Sequence, residues 1–321
     1  MKKIYLAPIK GITDRIYREI FGASFSGIEL AVAPFITNSV SEKKINDVSP
    51  AGNINLKTIP QILTGIPEDF IALGKRLADS GSDRLNWNLG CPFRKVLDRN
   101  EGAAILTSPQ RIEQFLEKVF RIELPLISVK MRLGRYSSDE IFKVLEIMNN
   151  YPIDQIIIHA RTAEQMYNGE INLSFFNEAL KISKHPVIYN GDITHKTDIN
   201  NLNSKTSDVS GWMAGRGILM NPFLAEEITV DKIIPDNEKI SRIRTFTDKL
   251  FEAYCNELDS PAHILDKIKG VWTYLVFSFE NGNKIIKKIK KAKSINHYKD
   301  EIKRIFDSEL IIITPVSRLY K

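Results

Sequence analysis

Eight short apolar runs recur along residues 1–225, and nearly every one stops at a polar or glycine-rich residue. They lie at 4–8, 28–34, 59–64, 84–89, 126–131, 155–159, 187–190 and 211–214, flanked by Gly, Pro, Asp or Asn. Runs of this length and flanking chemistry read as buried strands. The stretches between them carry helical spacing. Phe70, Leu73 and Leu77 share one face, with Gly81 just beyond, and Ile112, Phe115, Leu116 and Val119 share another after Ser108-Pro109. A series of eight strand-then-helix units requires a parallel sheet with crossover helices, and closure into a (β/α)8 TIM barrel is the expected result. An open doubly wound sheet is the alternative. It usually carries a G-x-G-x-x-G turn after its first strand, which "LAPIKGITD" (6–14) lacks.

In such a barrel the strand ends converge on one face, so residues far apart in sequence meet around one pocket. Pro8, Ile9 and Lys10 follow the first run, Gln61 lies in the third, and Asn88 and Cys91 end the fourth. Lys130 and Arg132 end the fifth, His159 and Arg161 the sixth, Asn190, Gly191 and Asp192 the seventh, and Gly215 and Arg216 the eighth. One polar strand end is an ordinary loop; this many together point to an active site. The glycines of "YNGDIT" and "AGRGIL" let backbone N–H groups approach an anion, and Arg216 can pair with it, as expected where barrels commonly bind phosphate.

Composition narrows the remaining classes. A chain of 321 residues with 43% hydrophobic and 26% charged residues is that of a globular protein with a large core. No run approaches the roughly 18 apolar residues of a membrane span, and the apolar N-terminal stretch is too short for a signal peptide, so a cytoplasmic location is expected. The two cysteines, Cys91 and Cys255, follow no C-x-x-C or Cys/His ligand spacing, so neither a disulfide framework nor a metal site is expected.

The net charge of +6 is unevenly distributed: residues 236–321 hold 17 Lys/Arg against 12 Asp/Glu, leaving the rest nearly neutral. After "IIPDNEK" (233–239) the apolar spacing lengthens. Ile240, Ile243, Phe246, Leu250, Phe251 and Tyr254, then Ile264, Ile268, Val271, Trp272 and Leu275, predict a small helical bundle. The expected division is a barrel domain at 1–235 and a basic helical domain at 236–321. Within the latter, "NKIIKKIKKAK" (283–293) sets six lysines against a stripe of Ile285, Ile286, Ile289 and Ala292. A solvated face, an anionic membrane surface and a phosphate backbone are the three readings of such a helix.

Six motifs, in order along the barrel, resemble the tRNA-dihydrouridine synthases. They are "LAPIKGITD" (6–14), "NLGCP…KV…GAAIL" (88–106), "VKMRLG" (129–134), "IHARTAEQMYNG" (158–169), "VIYNGDI" (187–193) and "GRGILMNPFL" (215–224). A helical C-terminal domain also fits that family. The resemblance implies a flavin enzyme that reduces the 5,6-double bond of uridine in tRNA, with NADPH as reductant and no membrane or stable protein partner. It implies FMN across the strand ends, with Pro8, Ile9, Lys10, Gln61, Lys130 and His159 around the ring and ribityl chain. Asn190, Gly191, Asp192, Gly215 and Arg216 would then surround the phosphate. Cys91 falls on the family's proton donor, Asn88 on a residue at flavin and uracil, and Arg161 on a contact to flavin or RNA. Lys287 and Lys291 become contacts to the tRNA backbone. Lys10 and Ile9 depart from the usual family residues, and the 98–102 loop is more charged than in many relatives.

The chemistry accounts for these residue types. Reducing uracil places a hydride on C6 and a proton on C5. No side chain supplies a hydride, whereas a thiol with a pKa of about 8.5 holds a proton near neutral pH and can donate it. A base inside folded tRNA must be everted to reach any such site. Competing readings are a merely buried Cys91, a Schiff-base Lys130, a metal-ligating His159, and Gln61 and Asn88 serving the backbone. For the whole chain they are a flavin barrel acting on a free pyrimidine and a non-catalytic RNA-binding protein.

Overall fold

The computed structural model describes residues 2–206, 208–230, 234–308 and 310–313. Its strands are β1 (Lys3–Leu6), β2 (Leu30–Val32), β3 (Thr58–Ile59), β4 (Gln61–Ile62), β5 (Arg84–Leu89), β6 (Leu126–Gly134), β7 (Ile156–Thr162), β8 (Val187–Asn190) and β9 (Gly211–Ala214). They pair in the order β3-β2-β1-β9-β8-β7-β6-β5-β4, all parallel. The two end strands are consecutive in the chain, separated only by Pro60. The sheet therefore closes into the expected TIM barrel, and its ninth strand is a break in the third stave. Proline has no N–H to donate to a ladder, so β3 pairs with β2 and β4 with β5. The Pro60 carbonyl still accepts from Asn86 N at 2.8 Å, and a bridge between Ile36 and Ile62 seals the seam.

The crossover helices form where the apolar spacing places them. Helix Pro67–Asp79 starts on proline and buries Phe70, Leu73 and Leu77. It stops at Gly81 (φ +86°), where the Gly81 and Ser82 N–H groups reach back to the Ala78 and Leu77 carbonyls. Helix Pro109–Val119 buries Ile112, Phe115, Leu116 and Val119; Ser108 occupies the cap position but makes no side-chain cap bond. Phe115 stacks on Trp87 with 3.8 Å between ring centroids, and the Trp87 indole donates to the Thr64 carbonyl at 2.9 Å. This locks β5 against its helix layer.

Side chains two apart on a strand share a face, and that rule divides the barrel's chemistry. Trp87, Leu89, Met131, Ile158, Tyr189 and Trp212 join the large apolar cluster with the helices. Their neighbours Asn88, Lys130, His159, Asn190 and Met213 turn the other way and line a cavity.

Among the described residues four α-helices follow: Asp236–Glu257, Pro261–Leu275, Gly282–Lys291 and Ile295–Phe306. The expected apolar positions are their buried ones, apart from partly buried Ile240 and Ile286. Phe246 packs edge-on against Tyr17, Phe21 and Phe25 of the barrel side, and Arg242 grips Glu226 with contacts of 3.0 and 2.5 Å. One buried cluster runs from the barrel's helix layer through Trp272, whose indole donates to Tyr298 at 2.9 Å. Of the expected boundary segment 233–239, Ile233 lies outside the described residues, as does 314–321 at the end of the expected helical domain. No helix among the described residues is long and apolar enough to cross a membrane.

Candidate active site at the barrel mouth

The carboxyl ends of the strands enclose a cavity of about 330 Å³. Its thiol side is built on an amide chain. The Asn88 side-chain oxygen accepts from the Gly90 and Cys91 N–H groups at 3.0 and 2.9 Å, folding the loop after β5 so that Cys91 faces the cavity. Asn88 Nδ2 donates to Gln61 Oε1 at 2.7 Å, Gln61 Nε2 to Asn86 Oδ1 at 2.7 Å, and Asn86 Nδ2 to Ser128 Oγ at 2.8 Å. Ser128 ends the chain on the Leu85 carbonyl at 2.9 Å. Buried amides satisfied in series orient one another, so the thiol loop is set by residues from three staves. Cys91 itself is 7% exposed. Burial pushes its thiol up, against smaller downward pulls from the Phe93 backbone and the cations Lys10, Arg132 and Arg99. The sulfur therefore carries its proton through neutral pH.

The adjoining wall, built on the neighbouring strand β6, carries cations. Burial, with help from neighbouring Arg132, pushes the Lys130 ammonium down to about 7. Arg132 donates to the Gly90 carbonyl at 3.1 Å and to the Thr162 carbonyl at 2.7 Å. Burial lowers it to about 10, which leaves it charged at neutral pH. His159 is held well below its ordinary value by burial and by Arg132, Lys130, Arg161 and Arg216, so its ring is neutral. Among the described residues no group of three or more His, Cys, Asp or Glu side chains is arranged to hold a metal ion.

The third side is formed by the loops after β8 and β9. Asn190 Nδ2 donates to the Met213 carbonyl at 2.8 Å and ties together the strand ends from which the two loops leave. Gly191 (φ +146°) and Asp192 (φ +41°) adopt left-handed backbone, which turns the chain sharply at the mouth. The Asp192 carboxylate accepts two bonds from Arg161, one of 2.9 Å through Nη1, and lies 3.6 Å from Arg216 Nη2. Arg161 also donates to the Gly169 carbonyl at 2.7 Å. The short helix Arg216–Met220 begins at Gly215, where a Cβ would lie only 3.3 Å from Ala7 and Ile9.

Residues 5–307 match the family described as Dihydrouridine synthase (Dus). This chain belongs to that family. The match runs through the barrel and all four C-terminal helices named above. Among similar proteins, the tRNA-dihydrouridine(16) synthase of Haemophilus influenzae is 27% identical over 317 residues, covering 92% of this chain and 98% of that one. A probable tRNA-dihydrouridine synthase of Aquifex aeolicus is 26% identical over 313 residues, covering 91% and 96%. The old yellow enzyme homologue of Zymomonas mobilis is similar in fold, with 12% identity and a TM-score of 0.53 over 73% of this chain and 90% of that chain.

In this dihydrouridine synthase family member, Pro8, Ile9, Lys10, Gln61, Asn88, Cys91, Lys130, His159, Asn190, Asp192, Gly215 and Arg216 all line the one cavity. Gly191 and Arg161 stand behind the wall; the Arg161 side chain is 3% exposed and held by Asp192 and Gly169. Lys287 and Lys291 lie on the exposed side of helix Gly282–Lys291, away from the cavity wall. Four ring-bearing residues of the wall escaped the strand-end logic, one of them Phe93 on the thiol loop. Tyr167 lies between Arg132 and Arg216, with cations 5.4 and 4.9 Å from its ring centre. Phe35 lies under Lys10, whose ammonium is 5.2 Å from the ring centre. Tyr274 comes from helix Pro261–Leu275. Tyr167 was signalled by its place in "IHARTAEQMYNG"; nothing local marks Tyr274.

Proposed function

We propose that this protein reduces the 5,6-double bond of a uridine in tRNA, using FMN held in the barrel mouth and NADPH as the source of electrons. The observation that carries the reading is a thiol and four cationic side chains, from buried Arg132 to exposed Lys10, facing one cavity. Such a cavity suits a ring system bearing a phosphate. Lys10, Lys130, Arg132 and Arg216 line it against a single carboxylate, Asp192, and that carboxylate is already engaged by Arg161. Pro8, Ile9 and Met213 supply apolar wall for a flat ring.

In this reading Gly215, Arg216, Asn190 and the Gly191-Asp192 turn would hold the phosphate, while Lys130, His159 and Gln61 would face the ring. Bound there, FMN would be the source of hydride for uracil C6, with NADPH as the reductant. Cys91 holds the proton destined for C5. Its raised pKa keeps it loaded at neutral pH, and Lys10 and Arg132 stabilise the thiolate left behind. Burial brings Lys130 down to about 7, and negative charge beside it favours its protonated form. Asn88 sets the thiol loop by its bonds to Gly90 and Cys91 and keeps one amide N–H for the substrate. The lysines of helix Gly282–Lys291, Lys287 and Lys291 among them, attract the RNA backbone without reading its sequence. The relatives whose names state a tRNA substrate support that choice of polyanion.

The test is Cys91→Ala. Dihydrouridine formation in unmodified tRNA is expected to fall about 10²–10⁴-fold, with FMN binding and NADPH-driven flavin reduction retained. Normal product formation by that variant removes Cys91 from the role.

A further inference from the structure

Phe93 is an apolar ring in a polar setting. It sits two residues after Cys91, lines the cavity, and is nonetheless 44% exposed. Its position is not loose. The Phe93 carbonyl accepts from Val96 N at 2.8 Å and Leu97 N at 3.1 Å, making it the residue on which helix Arg94–Leu97 starts. The thiol loop behind it is held by Asn88 and Arg132. An apolar ring on a fixed backbone is thus presented to water at the rim, beside the thiol. The residues that follow it are cationic and exposed: the Arg94 side chain is 89% exposed, and Lys95 is exposed beside it. Arg94 pairs with Asp98 at 2.8 Å, an exposed contact that a stronger anion can replace.

A ring with adjacent cations is the combination that binds single-stranded nucleic acid, with the base stacking and the phosphate held by charge. An everted uridine draws its neighbours in the strand up to the rim, where their bases are unstacked. We propose that Phe93 is the stacking surface for the base next to the target uridine, with Arg94 and Lys95 holding the phosphate beside it. The ring then guides the strand and keeps water from the thiol while the uridine is in the cavity. This rests on the RNA-reducing reading of the site, and the test separates the two.

The experiment uses the full chain loaded with FMN and tRNA lacking dihydrouridine. Phe93→Ala is expected to lower kcat/KM for tRNA about tenfold, within the range that one base–aromatic stack contributes. The loss should appear in KM, with FMN affinity and melting temperature unchanged because the ring is not part of the core. Phe93→Trp should restore kcat/KM, and the fluorescence of the added indole should be quenched by tRNA and not by a polyanion without bases such as heparin. Unchanged kcat/KM in Phe93→Ala, or indole emission in Phe93→Trp that is indifferent to saturating tRNA, overturns the stacking role while leaving the reaction standing. A wild-type chain that makes no dihydrouridine overturns the reading of the site, and the inference with it.

Discussion

At the barrel mouth, Lys130, Arg132 and Arg161 sit among carbonyls, amides and one carboxylate; on helix Gly282–Lys291 the lysines stand in water. Both regions are cationic, and they use charge in different ways. Burial shifts proton affinities, so Lys130 falls to about 7, His159 is neutral and Cys91 keeps its proton. Charges in that setting can take part in bond-making steps. Exposed lysines are screened and replaceable one by one, and suit long-range docking of a polyanion. The same charge becomes chemistry or attraction according to its solvent.

The largest expected effect asks whether the two regions are separable. Trp272 is fully buried in the helices, yet belongs to the cluster that continues into the barrel. Trp272→Ala is expected to cost about 3–5 kcal/mol. Denaturation followed by circular dichroism and by FMN release should show one transition if the shared core couples the regions. Two transitions, with FMN kept through the first, would support independent units at 1–235 and 236–321.

A second, smaller effect addresses the exposed side of the comparison. Reversing charge at Lys287 and Lys291 together should weaken tRNA binding about tenfold and flatten the dependence of log Kd on log salt by roughly 0.7–0.9 for each phosphate no longer neutralised. FMN affinity should not move. Identical slopes for variant and wild type would remove this helix from the RNA-binding surface.

The smallest effect concerns pH. The folded chain holds the Lys130 proton more weakly than the unfolded chain, between about 7 and the ordinary lysine value of 10.5. The unfolded state binds more protons in that window, so the cost of burying the ammonium is fully present below about pH 7 and is relieved as pH rises. Stability of the FMN-free protein should therefore gain from this group across that range. Lys130→Met should flatten the gain, and an unchanged pH profile would mean that Lys130 is solvated in the free protein.

Much of the barrel was legible because its signals are local. The apolar runs mark strands, the Phe70 and Ile112 faces mark crossover helices, and each polar strand end announces a side chain at the mouth. The run 59–64 reads as one strand, and its break at Pro60 depends on which neighbours the two halves of the stave meet. Arg161 shows where local reading stops. Its place two residues beyond His159 predicts a cavity contact, whereas the folded chain spends it on Asp192 and Gly169. The charge that would have faced a ligand instead braces a loop.

The order of residues, by itself, determined the barrel, the basic amphipathic helix and the family motifs, because each is written in short-range spacings along the chain. Tertiary structure alone decided that Tyr274 joins the mouth, that Lys267 reaches from the helices to Asp14 and the Gly11 carbonyl, and that Lys130 loses affinity for its proton. These depend on dielectric and on contacts between segments up to 256 positions apart. Neither quantity exists until the chain has folded and excluded its water.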